Sequence, residues 1–382
     1  SAVRLLSVPF LLVALFILVQ ALPLGGIVPI RFGNQFGESF ASGSVSVAPG
    51  DTWLALLRWT TYGAFYFLML QAAVQSRRNR LLMQGLVAVA AAEAAYALLA
   101  LTQLGDTVLF FDKVYYQGMA TGTFVNRNSL ATFLGLGAVA ATALATGGAE
   151  ARARAGLQRA LPGHPFLLLA ILVMMMALIA TQSRMGLFST MAGIGTVLVL
   201  RRAGGGGTGN VLLIAGGVAV LLALYGAGVG ERFLTTERSA ETRMELYRQV
   251  VAMIRERPLL GYGAGSFNQA FPLFHEPSLA VDRVWEYAHS TYLALWSGLG
   301  VVVGTIPILL LAAIVFRTWQ ASSPGEGRRS AESAAALGAT VTVALHSLTD
   351  FSLEMQAVAL FYVSMLALGS AGAIHGTMRE RR

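Results

Sequence analysis

Long apolar runs separated by short polar breaks dominate the chain. A membrane-spanning helix needs roughly 20 mainly apolar residues. Runs at 6–28, 52–74, 81–104, 128–147, 164–182, 185–200, 211–229, 288–316, 332–349 and 354–375 fit that length, the shorter ones loosely. One stretch, 230–287, breaks the pattern. Inside it, residues 240–256 place Tyr247, Val250, Val251 and Ile254 at helical spacing, which predicts an amphipathic helix. Arg243 lies four residues before Tyr247 and joins the apolar face, whereas Arg248 and Arg255 fall opposite with the glutamates. Arg257-Pro258 ends the helix, because proline removes a donor and clashes with the preceding turn. The expected fold is an all-α polytopic membrane protein with about 10 transmembrane helices (10–12) and one large loop that contains helices. Three regions follow: 1–229 with helices one to seven, the loop at 230–287, and 288–382 with helices eight to ten and a basic tail. The first run is followed by no A-x-A signature and reads as a retained helix rather than a signal peptide.

Charge orients the spans. With the N-terminus in the cytoplasm, the inside loops carry fifteen arginines, Arg4 through Arg382, against four glutamates. The outside set, counted with Arg58 and Glu354 of the adjoining runs, carries twelve basic and fourteen acidic residues. That asymmetry predicts both termini inside and the 230–287 loop outside. The net charge of +8 therefore reads as loop charge and not as a nucleic-acid surface. There is no cysteine, which excludes disulfides and thiolate metal sites.

The polar residues that topology does not explain gather on the outer face. Arg184, in A-T-Q-S-R-M-G, sits in a turn too short to reach far into water; it either snorkels or holds an anion. Asn126, Arg127 and Asn128 open the fourth span, where Asn128 and Ser129 are suitable N-caps, yet a cap does not account for all three polar residues. Gly261, Gly263 and Gly265 in G-Y-G-A-G permit close backbone approach and an anion nest, or plain turns. His289 stands at the mouth of the eighth span, as a helix-start residue or as a base. His346 and Asp350, at i and i+4, either pair with each other or complete a site. H-E-x-x-H, D-x-D and G-x-S-x-G are all missing, so neither a metal site nor a serine nucleophile is expected. One base with several arginines suits a phosphate-bearing leaving group and an acceptor hydroxyl. A transporter of anionic lipid-linked glycans would use the same arginines, but its internal repeats and midplane polar residues are not seen.

Five segments in order resemble the O-antigen ligase and polymerase superfamily of bacterial envelopes: G-T-F-V-N-R-N-S-L-A-T-F, T-Q-S-R-M-G, T-R-M-E-L-Y-R-Q-V-V-A-M-I-R-E-R-P-L-L-G-Y-G-A-G-S-F, A-H-S-T-Y-L-A-L-W-S-G-L-G and H-S-L-T-D-F, spanning about 118–365. The resemblance implies a GT-C-like, metal-independent inverting glycosyltransferase of the inner membrane, with its active site facing the periplasm and no cofactor. Its donor would be a glycan on undecaprenyl diphosphate. Its acceptor would be a glycolipid, the lipid A core, for a ligase, or a second lipid-linked repeat unit for a polymerase. By the same resemblance His289 matches the general base, and Arg184 and Arg243 match the arginines on the diphosphate. Tyr247, Asn126, Arg127, Asn128, Gly263, Gly265, His346 and Asp350 are the further expected substrate contacts.

Overall fold

The computed structural model describes residues 2–27, 30–34, 36–154, 165–202, 233–279, 284–321 and 330–380. Helices α1 (Ala2–Ala21), α2 (Pro49–Ala72), α3 (Ser76–Thr102), α4 (Arg127–Arg154), α5 (Pro165–Ala180) and α6 (Arg184–Arg202) follow the first six apolar runs. Then come α7 (Phe233–Glu256) in the polar stretch, α8 (Thr291–Ala321), α9 (Ala331–His346) and α10 (Gln356–Glu380). The expected span at 211–229 lies outside the described residues. Among the described residues, three helices are long and apolar enough to cross a membrane: α3, α4 over Arg127–Thr146, and α8. Leu6–Ala21, Pro165–Ala180 and Gln356–Ala371 are shorter apolar helices.

The chain divides into two compact units. One comprises 1–64, 230–314 and 347–351; the other comprises 65–229, 315–346 and 352–382. Two antiparallel hairpins depart from the all-α expectation: β1 (Ile30–Gly33) with β2 (Ser39–Ser42), and β3 (Thr107–Val108) with β4 (Phe111–Asp112). Both are too short to show as alternating patterns between long helical runs.

In the second unit, α4 is buried along its apolar length, from Leu130 to Ala145. Small residues let its neighbours close in. At the crossing of α6 and α9, a Cβ on Gly193 would stand 2.0 Å from Thr342 Oγ1 and 2.7 Å from Gly338 O. Such small contacts let helices pack by close backbone approach, which is the available driving force where lipid tails are as apolar as the side chains.

In the first unit the decisive feature is a break in α8. The break is at Gly300, with φ 73° and ψ 163°, and not at Pro307, which lies inside the helix. Glycine reaches that conformation without a Cβ penalty. The break frees backbone groups that a helix would pair internally, and the segment after α7 takes them. Tyr262 N–H donates to Ser297 O at 2.9 Å, Gly263 N–H to Gly298 O at 3.0 Å, and Val301 N–H to Pro258 O at 2.7 Å. There is no room for side chains at this junction: a Cβ on Gly300 would lie 2.3 Å from Leu259 O, and one on Gly261 would lie 2.4 Å from Gly298 O.

Gln20, on α1 and 1% exposed, locks the same junction. Its Nε2 donates to Leu260 O at 2.7 Å and to Gly298 O at 2.9 Å, while its Oε1 accepts Ala264 N–H at 3.1 Å. Below it, Val13, Ile17, Ala264 and Leu299 form an apolar cluster. Gln20→Leu keeps the volume and orphans the buried Ala264 amide. The expected cost is about 1–3 kcal/mol of stability, read as a lower melting temperature in detergent. An unchanged melting temperature would show that the glutamine is dispensable to the junction.

Candidate functional site

Helix α7 carries the first half of the site because its faces are divided. Leu246, Val250, Met253 and Ile254 are buried against Phe32, Tyr262, Phe271, Phe274 and Ala288. On the opposite face Arg248 binds Glu245 at 2.7 Å and also pairs with Glu276. Ser278 Oγ and Gln249 Nε2 donate to the same Glu245 carboxylate, at 2.5 and 2.8 Å. These bonds, Arg248 foremost, hold Glu245 down at about pKa 2. Arg248 is thus a brace for the 276–278 segment. The expected apolar stripe is rotated slightly: Leu246 and Met253 lie in it, and Tyr247 sits half-buried at its edge.

From that edge Tyr247 reaches His289. Its hydroxyl donates to His289 O at 2.7 Å and is 3.2 Å from Leu348 O. The phenol expected to contact substrate is therefore engaged with two backbone carbonyls. His289 has φ 51°, in the left-handed region that non-glycine residues rarely adopt. That conformation costs on the order of 1–3 kcal/mol, and one hydrogen bond returns about 1 kcal/mol. Ring packing therefore has to contribute as well. The imidazole meets Phe351 edge-on at 5.1 Å and Trp285 edge-on at 6.0 Å. Tyr287 stacks on Phe351 at 4.1 Å. Residues 347–350 are tied to the same turn through Ser290 Oγ and Thr291 N–H, both bonded to Ser347 O, at 3.2 and 3.1 Å.

The His289 Nδ1 is buried and has no hydrogen-bond partner. Burial pushes the imidazole below its ordinary 6.5; the Asp350 charge opposes that shift and the Arg243 charge adds to it. Burial likewise raises Tyr247, with Arg243 opposing and Asp350 adding. The structure thus brings His289, Tyr247, Arg243 and Asp350 into one electrostatic neighbourhood. Asp350 is 1% exposed, and Arg243 is half-buried on α7.

The remaining expected residues have other surroundings. The amides of Gly261, Tyr262, Gly263 and Ala264 are all bonded within the protein, to Arg257 O, Ser297 O, Gly298 O and Gln20 Oε1. The anion nest expected around Gly263 is therefore already filled by protein oxygens, because this segment satisfies the break in α8. Gly265 has φ 75° and lies against Asp51 and Ala55. In the second unit Asn126, not Asn128 or Ser129, caps α4: its Oδ1 accepts Asn128 N–H at 2.7 Å and Ser129 N–H at 3.4 Å. Arg127 lies 5.6 Å over the Tyr116 ring and donates to Gln182 O at 3.3 Å. Arg184 starts α6, half-buried, two residues after Gln182. His346 Nδ1 lies 2.5 Å from Thr132 Oγ1, whose own hydroxyl is 3.1 Å from Asn128 O. Trp285 and Phe351 were missed by the sequence reading; the alternation Trp285, Tyr287, His289 was the available signal.

Residues 169–308 match the family model Wzy_C, described as O-Antigen ligase. That segment of the chain is similar to an O-antigen ligase domain. The match supports the O-antigen ligase and polymerase superfamily, a glycosyltransferase-like group acting on lipid-linked glycans. No curated protein matches the chain. The matched segment contains Arg184, Arg243, Tyr247 and His289, whereas Asn126, Arg127, Asn128, His346 and Asp350 lie outside it.

A lowered histidine binds its proton less readily in the folded chain than in the unfolded one. Its contribution to stability is therefore complete above pH 6.5 and is lost as pH falls through the folded value. Where His289 acts as a base, the acid limb of kcat/KM lies below pH 6.5. Asp350→Asn moves that limb to lower pH, since it removes the charge favouring protonation. Arg243→Gln moves it to higher pH. Limbs that shift in the opposite directions would refute this electrostatic assignment.

Proposed function

We propose that this protein is a metal-independent inverting glycosyltransferase that moves a glycan from undecaprenyl diphosphate to an acceptor sugar of the lipid A core. The observation that carries the reading is the strained, neutral, buried His289 with its unpartnered Nδ1 beside Arg243, inside the segment similar to an O-antigen ligase domain. His289 takes the proton of the acceptor hydroxyl as that oxygen attacks the anomeric carbon. The bond from that carbon to the diphosphate oxygen breaks with inversion, and undecaprenyl diphosphate leaves. Arg243 is half-buried, where its charge is less screened than in water. It is assigned to the charge that grows on the departing diphosphate. Arg184 is assigned the same role by the family resemblance. A guanidinium group can meet phosphate oxygens bidentately, a charge-stabilising role that elsewhere falls to a metal ion. The proposed topology is ten spans in the inner membrane, with both termini cytoplasmic and His289 at the periplasmic face, as the charge asymmetry of the loops favours.

The test uses purified protein in detergent with EDTA and a labelled undecaprenyl-diphosphate oligosaccharide, with and without lipid A core. One shifted product that depends on the core supports the ligase. A ladder formed from donor alone indicates a polymerase instead, and absence of any product overturns metal-free transfer. In the same assay His289→Ala lowers turnover by about 10²–10⁴-fold while donor binding persists; full activity would remove His289 as the base. Arg184→Lys keeps the charge but lowers turnover by roughly tenfold or more. A normal rate in that variant would refute bidentate contact.

A further inference from the structure

The β3–β4 hairpin follows α3, one of the helices long and apolar enough to span a membrane. The helix ends with Gln103 N–H on Leu99 O and Asp106 N–H on Ala100 O, and the chain then doubles back through a two-residue turn at Leu109–Phe110. Such turns favour Asn-Gly or other residues that tolerate positive φ. Here Leu109 takes φ 53°, which costs leucine on the order of 1 kcal/mol. The turn also exposes what water disfavours. Phe110 is 95% exposed, Val114 78%, Phe111 72% and Tyr115 70%. Strain and exposed apolar surface are spent at the same place.

The base of the hairpin is held firmly. Asp106 pairs with Lys113 and accepts Gly118 N–H at 2.6 Å, Lys113 Nζ also donates to Met119 O at 2.8 Å, and Leu109 N–H donates to the Tyr96 hydroxyl of α3 at 2.9 Å. The lysine is 8% exposed and its charge is met by Asp106, so the tip between Val108 and Phe111 carries no charge. Leu99 on α3 and Leu104 just after it are exposed apolar residues on the way into the hairpin, and the exposed charge of Asp112 lies past the tip, in β4. Aromatic rings at the end of a span favour the boundary between hydrocarbon and headgroups.

We propose that the β3–β4 hairpin is a membrane-interface anchor, with the Leu109–Phe110 tip seated among lipid headgroups and upper acyl chains beside α3. The inference rests on α3 spanning a membrane and is independent of the reaction proposed above. Rigid fixing of the base makes the tip a fixed wedge, and seating it in lipid offsets both the strain at Leu109 and the exposure of Phe110. Insertion would reach roughly 5–10 Å into the boundary, as for other interfacial elements.

The chain has no cysteine, so single labels are simple to place. Phe110→Cys, and separately Val114→Cys, would carry an environment-sensitive fluorophore in nanodiscs holding one copy each. The expected result is blue-shifted emission, quenched more by doxyl lipid labelled near the carbonyls than deep in the chain, and little by iodide. Water-like emission quenched by iodide would overturn the proposal. Blue-shifted emission that no lipid quencher reaches would also overturn it, since a protein surface would then cover the tip. Both positions are exposed, so neither label disturbs the packed structure, and the readout needs no catalytic activity.

Discussion

The break at Gly300 is the constraint on which the first unit depends. A span cannot leave carbonyls and amides open to lipid, because each unsatisfied group costs several kcal/mol there. The chain meets that requirement with its own backbone. Residues 258–263 pair with 297–301, and Gln20 closes the remaining donors and acceptors. The partners of the break are thus drawn from two distant stretches of sequence. Glycine at 261 and 300 is required by contact, since each would drive a Cβ into the opposing backbone.

The junction has consequences for chemistry because of what lies at its ends. The 258–263 segment begins where α7 stops, so fixing it fixes the C-terminal end of the helix that carries Arg243 and Tyr247. The other side of the junction is the first half of α8, which starts two residues after His289. Tyr247 then bridges back to His289 O, closing a circuit of hydrogen bonds and packing from His289 to helix to junction. The glycine-rich loop acts as scaffold, its amides spent on protein oxygens, and it holds the end of the helix that carries Arg243.

Much of this was legible from the chain, for identifiable reasons. Helical runs are long and periodic, so α1 to α6 and α8 to α10 follow the apolar segments closely, and α7 follows its amphipathic spacing. Loop charge asymmetry led to the expectation that His289 and Arg243 share one face, and the structure brings the two into one electrostatic neighbourhood. What sequence did not disclose depends on pairing across distance. Gln20 reads as one polar residue near the end of an apolar run, and nothing local says that it bonds to residues some 240 positions away. Tyr247 reads as a ligand contact because its hydroxyl is free until the fold supplies His289 O. The cap of α4 fell at Asn126 rather than Asn128 because helix ends are decided by one turn of backbone geometry, below the resolution of a pattern.

The position of His289 shows how strain, burial and electrostatics converge on one group. A left-handed histidine at a helix mouth would relax unless held, and it is held from two sides, by the Tyr247 hydroxyl below and by Phe351 and Trp285 around the ring. The same aromatic surroundings that fix the ring also desolvate it and keep it neutral. Asp350 moderates that shift, so the imidazole remains basic enough to accept a proton while being uncharged at neutral pH. Burial thus favours the neutral form that a base requires and at the same time weakens that base, and the Asp350 charge limits the weakening. The aromatic frame therefore supplies geometry and protonation state together, and Arg243 placed on the same neighbourhood biases it against protonation before any anionic substrate arrives. On the proposed reading, a diphosphate bound near Arg243 cancels that bias and raises the affinity of His289 for a proton, which couples donor binding to the strength of the base.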